Sequence, residues 1–282
     1  MNSIREMHQL SGQTRLEKKS IGLVPTMGFL HRGHLSLIEK SKSKCDFTAV
    51  SIFVNPTQFA PNEDFSKYPR DIERDKKFLI QNKVDALFLP SEKEIYGGNF
   101  QTYIEVEELS KVLEGKFRPS HFKGVATIVS ILLNSVKPDL AFFGQKDAQQ
   151  SAIIKRMVSD LKLDVEIEVC SIIREKDGLA MSSRNSYLSS EERKDALVLY
   201  KALILAKHII EEGERKTKAV ISEMKDVIYK VKTSNPDYVE IVEADSFAVS
   251  DKIEPGKEYY ILIACKIGST RLIDNIKIKI TS

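Results

Sequence analysis

Tryptophan is absent from this chain, cysteine is represented by three residues only, and neither sign of charge dominates. Each shortage excludes something. Cys45, Cys170 and Cys265 are odd in number, far apart and set in apolar stretches. They form no disulfide framework and read as reduced core thiols of a cytoplasmic protein. A net charge of +3 is too small to argue for nucleic acid or a membrane surface. No apolar run reaches the length of a bilayer-crossing helix. The opening Met1-Asn2-Ser3-Ile4-Arg5-Glu6 lacks the layout of a secretory signal. There is no internal repeat and no low-complexity tract. What remains is an ordinary globular composition, 42% hydrophobic and 29% charged over 282 residues. That is enough chain for one large or two modest domains with a real core.

The apolar pattern alternates between two periods. Runs at 21–24, 48–54, 86–89, 140–143 and 165–170 are short, nearly continuous and rich in β-branched residues, as in strands buried on both faces of a parallel sheet. Helical spacing follows or separates them near 35–42, 71–82, 125–136 and 148–161. Residues 1–20 are polar and carry a short helix at the domain edge. Strands alternating with helices predict βαβ units with right-handed crossovers, whose ligands bind beyond the carboxyl ends of the strands. After Tyr187 the texture changes. Ser189-Ser190-Glu191-Glu192 reads as a helix start, and one long helix is expected to run to about Glu212, with Gly213 ending it. A second helix covers about 218–232, Pro236 closes that region, and strands follow at 238–242, 259–265 and 271–280. The expected architecture is α/β: a Rossmann-like, nucleotidyltransferase-type parallel-sheet domain over 1–185, then a small α+β C-terminal lid domain over 186–282.

Four polar stretches sit at strand ends. In Pro25-Thr26-Met27-Gly28-Phe29-Leu30-His31-Arg32-Gly33-His34, two histidines three residues apart fall on the first turn of a helix. The unpaired N–H groups there and the positive end of the helix dipole suit phosphate, and glycines allow close approach. Two imidazoles could equally hold a metal, but no convincing third ligand lies nearby. Gly144-Gln145-Lys146-Asp147 offers a glycine and a lysine where a helix opens, with Gln149 or Gln150 a turn later. Met181-Ser182-Ser183-Arg184 brings two hydroxyls and a guanidinium together, which suits a triphosphate, though a plain domain linker would look similar. Asn55-Pro56-Thr57-Gln58-Phe59 supplies uncharged amides for hydroxyls and carboxylates. His121, in the basic stretch 117–124, is a weaker candidate for touching substrate.

Taken together these stretches resemble a known family. Pro-Thr-Met-Gly-x-Leu-His-x-Gly-His, Phe-Val-Asn-Pro-x-Gln-Phe, Tyr-Pro-Arg, Arg-Pro-x-His-Phe-x-Gly-Val, Phe-Gly-x-Lys-Asp-x-Gln-Gln and Ser-Ser-Arg-Asn occur here in the order seen in pantoate–β-alanine ligases. Arg271-Leu272-Ile273-Asp274-Asn275 adds a C-terminal likeness, so the resemblance covers essentially the whole chain. It implies a two-step, AMP-forming ligation. Pantoate attacks the α-phosphorus of Mg-ATP, and β-alanine then attacks the pantoyl adenylate. His34, His31, Lys146 and Arg184 would be catalytic. Met27, Gly28, Phe29, Leu30, Arg32, Gly33, Gly144, Gln145, Asp147, Ile173, Met181, Ser182 and Ser183 would join them in binding ATP. Gln58 and Gln150 would hold pantoate, with Pro25, Thr26, Asn55, Phe59 and Tyr68 around the acid substrates; Glu114 and Arg118 are second-rank candidates. Mg2+ would arrive with ATP rather than on a protein site, and the family implies a cytoplasmic homodimer without nucleic-acid or membrane partners.

Two departures stand out. Phe29 is bulkier than the residue expected there, and Ala148 replaces a frequent aromatic. Both flank the expected ligands and bear on affinity rather than reaction type. The competing readings are a nucleotidyltransferase making a dinucleotide-like product, and a nucleotide-binding regulator without catalysis.

Overall fold

The computed structural model describes residues 1–61 and 63–280, and contacts divide these into two units. One holds residues 1–145 and 149–171; the other holds 146–148 and the described residues from 172 on.

In the first unit the buried runs become strands β1 (Ile21–Thr26), β2 (Phe47–Ile52), β3 (Ala86–Phe88), β4 (Leu140–Gly144) and β5 (Glu166–Cys170). All pair in parallel in the order β3-β2-β1-β4-β5. The chain builds outward from β1 to one side and then returns to the other, so the topological switch point lies between β1 and β4. Period-two alternation sends neighbouring residues to opposite faces. Leu23, Ala49 and Phe143 pack in one core with α1 (Ile4–Leu16), α6 (His121–Val136) and α7 (Ala148–Asp160). Val24, Val50 and Phe142 pack in the other with α2 (Arg32–Lys44) and α3 (Ile72–Gln81). Two short helices, α4 (Glu92–Tyr96) and α5 (Glu114–Phe117), lie in the long β3–α6 connection.

The second unit has a core of its own, with helices α8 (Ser190–Asp195), α9 (Leu197–Glu211) and α10 (Thr217–Tyr229) and an antiparallel sheet in the order β6-β7-β8. Its strands are β6 (Ser234–Glu243), β7 (Glu258–Ile267) and β8 (Thr270–Lys279). Three details differ from the sequence pattern. The expected single helix over 189–212 is broken at Ala196 into α8 and α9. Pro236 does not close the helical region but lies inside β6, where the pairing register slips between Pro236 and Tyr238. That strand is at a sheet edge, where a missing N–H is tolerated. Finally, residues 172–185, expected in the first domain, pack with the second unit. Leu179 enters its core, and Arg174 grips Asp274 through two hydrogen bonds of 2.6 and 2.9 Å.

Candidate active site

The turn from β1 into α2 is built by side chains that tie down its backbone. Thr26 Oγ1 donates to the Ser51 carbonyl and accepts from the Gly28 N–H, so this hydroxyl holds the turn. Gly28 (φ +85°) and Phe29 (φ +52°) both adopt left-handed backbone. For a phenylalanine that conformation is costly and needs support from outside. Buried Asp75 of α3 provides it. Its two oxygens accept from the Phe29 N–H (2.6 Å) and the Leu30 N–H (2.8 Å). Arg74 donates to the Leu30 carbonyl (2.8 Å), and its guanidinium lies 4.6 Å over the Phe29 ring. Burial pushes the Asp75 carboxyl above its ordinary pKa, against the lowering effect of those two N–H bonds.

At the end of this turn His31 is the N-cap of α2, and His34 is the third helical residue. The two cap each other's ends of the turn. Nδ1 of His31 accepts from the Gly33 N–H (3.1 Å), and Nδ1 of His34 accepts from the His31 N–H (3.2 Å). A capping box is usually made by Ser/Thr and Glu; here imidazoles do it, with ring centroids 4.1 Å apart. Since both Nδ1 atoms accept, both neutral rings carry their proton on Nε2. Arg32 is exposed and Gly33 half-buried beside them, while the Leu30 side chain is fully inside the core. Leu30 therefore offers a ligand nothing but backbone.

Beyond β2, Asn55 and Gln58 are buried. Gln58 Nε2 lies 3.1 Å from Met27 Sδ, which brings the β2 turn against the β1 turn. Asn55 Nδ2 donates to Gln58 Oε1 (3.2 Å) and to the Gly124 carbonyl (3.1 Å). The Gln58 carbonyl accepts from His121 Nδ1 (2.9 Å) and Arg118 (3.4 Å). Arg118 also donates to His121 Nε2 and forks onto Glu63 with two bonds of 2.7 Å. Burial, reinforced by the Arg118 charge, pushes the His121 pKa down to about 4. His121 is thus a neutral structural ring holding the Gln58 backbone. Phe59 and Tyr68 are buried edge-to-face with centroids 6.1 Å apart, and Pro25 is half-buried at the end of β1.

After β4, residues Gln145–Asp147 form a 3₁₀ turn that leads into α7. The two glutamines that follow separate in role. Gln149 is buried and spends its amide on the Leu109 and Val112 carbonyls and the Glu114 N–H, while Gln150 is half-buried.

In the second unit, Lys146 Nζ stands 3.7 Å from Asp147, and the Lys146 carbonyl accepts from Asn275 Nδ2 of β8 (3.0 Å). Residues 173–181 form a hairpin. The Ile173 carbonyl accepts from the Met181 N–H (3.0 Å), and Arg174 bridges to Ala180. Ser182 then caps the 3₁₀ turn Ser183–Tyr187, its Oγ accepting from the Arg184 N–H (3.2 Å). The serines and arginine therefore follow one another on a single tight turn, with Ser183 buried and Arg184 half-buried. Among the described residues no group of three or more His, Cys, Asp or Glu is arranged to hold a metal ion.

The family model described as pantoate-beta-alanine ligase matches residues 1–277. This chain belongs to the pantoate–β-alanine ligase family. A pantothenate synthetase of Caldicellulosiruptor saccharolyticus is 54% identical over 280 residues, covering 99% of each chain. The crystal structure of a pantothenate synthetase from Thermus thermophilus superposes with a TM-score of 0.92 at 40% identity, covering 98% of each chain. A pantoate–β-alanine ligase from Francisella tularensis, described as complexed with beta-gamma ATP and β-alanine, matches with a TM-score of 0.79 at 36% identity over 98% of this chain and 96% of that one.

Within this ligase fold, motif reading passed over the residues that act through others. Asp75 and Arg74 sit on α3, more than forty positions after the turn they hold, in a stretch that looks like an ordinary charged helix face. Tyr96, which donates to Asn55, is the last residue of the five-residue helix α4, too short to leave a periodic pattern. The one available signal was the Asp71 helix start after Tyr-Pro-Arg, which places α3 but not its targets.

Proposed function

We propose that the ligase joins pantoate to β-alanine in two steps through a pantoyl adenylate. In the first, a pantoate carboxylate oxygen bonds to the α-phosphorus of ATP, and the bond to the bridging oxygen breaks to release pyrophosphate. In the second, the β-alanine amine attacks the acyl carbon, loses a proton and expels AMP. Phosphoryl-type transfer needs positioning and charge stabilisation more than covalent help.

The observation that carries this reading is the paired imidazole cap at the start of α2. With both Nδ1 atoms held by backbone N–H groups, the Nε2–H groups of His31 and His34 are defined donors for phosphate oxygens. The backbone of Met27, Gly28, Phe29, Leu30 and Gly33 lines the same turn. Gln58 and Gln150 hold pantoate, with Asn55 and Thr26 behind them and Pro25, Met27, Phe59 and Tyr68 as the apolar wall for its methyl groups. In the second unit, Lys146 stabilises charge on the transferring phosphate, Asp147 holds the nucleoside, Ile173 meets adenine through its backbone, and Ser182, Ser183 and Arg184 grip the departing pyrophosphate. Mg2+ enters as part of the ATP substrate. The chain works as a homodimer in the cytoplasm, which a solution mass of about twice 31.9 kDa would support and a monomer mass would contradict.

Pyrophosphate release from purified protein with Mg-ATP and pantoate, before and after β-alanine, tests the reaction order. A stoichiometric burst without the amine that becomes continuous with it is the expected result. Release that waits for β-alanine would contradict the adenylate.

A further inference from the structure

Tyr96 stands at the head of a line of hydrogen bonds that ends on Gln58. Its hydroxyl lies 2.5 Å from Asn55 Oδ1 and 3.0 Å from Thr57 Oγ1, and Thr57 Oγ1 is 3.0 Å from the same Asn55 oxygen. On the opposite side of that amide, Asn55 Nδ2 reaches both the Gly124 carbonyl (3.1 Å) and Gln58 Oε1 (3.2 Å). The order of atoms in a buried amide has to be argued from its partners. Here the partners decide it. The Gly124 carbonyl only accepts, so the Asn55 nitrogen must face it and the oxygen must face Tyr96 and Thr57. Tyr96 therefore donates. Burial holds its phenol above the ordinary pKa, so the proton stays in place across the working pH range.

Gln58 inherits its orientation from Asn55. Because Asn55 presents N–H, Gln58 turns Oε1 toward it, and Nε2 becomes the end beside Met27 Sδ, 3.1 Å away. A thioether is a weak acceptor and does not compete with a carboxylate or hydroxyl oxygen. If the Gln58 amide turned over, Oε1 would face the acid instead, and two acceptors would oppose each other.

We propose that Tyr96 is a positioning residue for substrate selection: through Asn55 it fixes Gln58 as a donor, so that this position of the site accepts only a ligand oxygen that receives a hydrogen bond. The inference rests on the assignment of Gln58 to pantoate made above. It adds a residue outside the motif stretches, on α4, whose ring is packed against Phe53 and Phe100 with centroids 6.3 and 4.9 Å away. Those ring contacts survive replacement by phenylalanine, so the hydroxyl can be tested alone.

In Tyr96→Phe, KM for pantoate should rise about fivefold or more, as expected for one lost hydrogen bond, with kcat and KM for ATP within about twofold. A role confined to packing would lower thermal stability and leave that KM split absent. Asn55→Asp is the second variant and carries the test should Tyr96→Phe not fold. An aspartate presents acceptors only, so Gln58 must turn its N–H inward, and KM for pantoate should rise more than in Tyr96→Phe although Gln58 itself is unchanged. An acid KM within twofold of wild type in a folded variant, or an equal rise in KM for ATP, overturns the proposal. Gln58→Ala separates the two levels. An unchanged acid KM there overturns the pantoate assignment and the Tyr96 proposal together, whereas a large rise there with none in Tyr96→Phe overturns the Tyr96 proposal alone.

Discussion

At the scale of single residues, the sharpest contrast is between three histidines. His31 and His34 keep their rings at the helix start with the proton directed to Nε2, while His121 is sealed inside, its Nδ1 donating to the Gln58 carbonyl and its Nε2 accepting from Arg118. Removing a group proposed to face phosphate should cost transition-state stabilisation. His34→Ala and Lys146→Ala are each expected to lower kcat/KM for adenylate formation by about 3 kcal/mol with the fold intact; pyrophosphate kinetics beside a melting curve would check both. His121 gives a stability signature instead. Its pKa is depressed from 6.5 to about 4 by burial and Arg118, so the unfolded chain takes up a proton at a pH where the folded one does not. Stability should therefore fall as pH drops through 6.5 and stop falling from this source below about 4. The effect is on the order of 3 kcal/mol across that window. His121→Gln should flatten this part of the curve relative to wild type, read from urea midpoints between pH 7 and 4. Equal slopes in both proteins would refute the assignment.

At the scale of elements, the turns assigned to the proposed site are held in shape by neighbouring helices. Helix α3 clamps the β1–α2 turn through Asp75 and Arg74, and α6 abuts the β2 turn through Gly124. A Cβ on Gly124 would stand 2.6 Å from the Thr57 carbonyl, and backbone cannot yield as a flexible side chain does. Gly124→Ala should cost about 1–3 kcal/mol of stability by overpacking and should raise KM for pantoate, because the displaced segment carries Gln58. In Asp75→Asn one acceptor is lost opposite two backbone donors. About 1–3 kcal/mol of stability and a higher KM for ATP are expected, since Phe29 is no longer held in left-handed backbone. Thermal melts with substrate titrations distinguish the two helices, one acting on pantoate and the other on ATP. The elements themselves were largely legible, because alternating apolar runs and helix starts are local signals. The break at Ala196 and the passage of Pro236 through β6 were not, since each depends on what packs beside it.

For the molecule as a whole, the apolar side chains gather in three cores, two on the faces of the parallel sheet and one in the second unit, and all three cysteines are free thiols. Burial pushes the Cys45 and Cys265 thiols up to about 11, which keeps them protonated and inert near neutral pH. Since Mg2+ is proposed to enter with the nucleotide, a chelator should stop pyrophosphate release and leave the melting temperature of the nucleotide-free protein unchanged. A drop in that temperature would reveal a structural metal instead.

Sequence by itself determined the parallel sheet with its strand-end motifs, the helix-plus-antiparallel C-terminal part and the family, because these rest on local periodicity and on short ordered motifs. Tertiary structure decided which side chains hold those motifs in shape. Asp75 meets Phe29, Tyr96 meets Asn55, and Asn275 meets the Lys146 carbonyl across 46, 41 and 129 positions of chain. It also decided that residues 172–185 pack with the second unit, and that His121 and Gln149 spend their polar atoms on protein. The physical reason is the same in each case. A hydrogen bond depends on distance and direction in space, and a pair with no fixed spacing along the chain leaves no periodic trace in it.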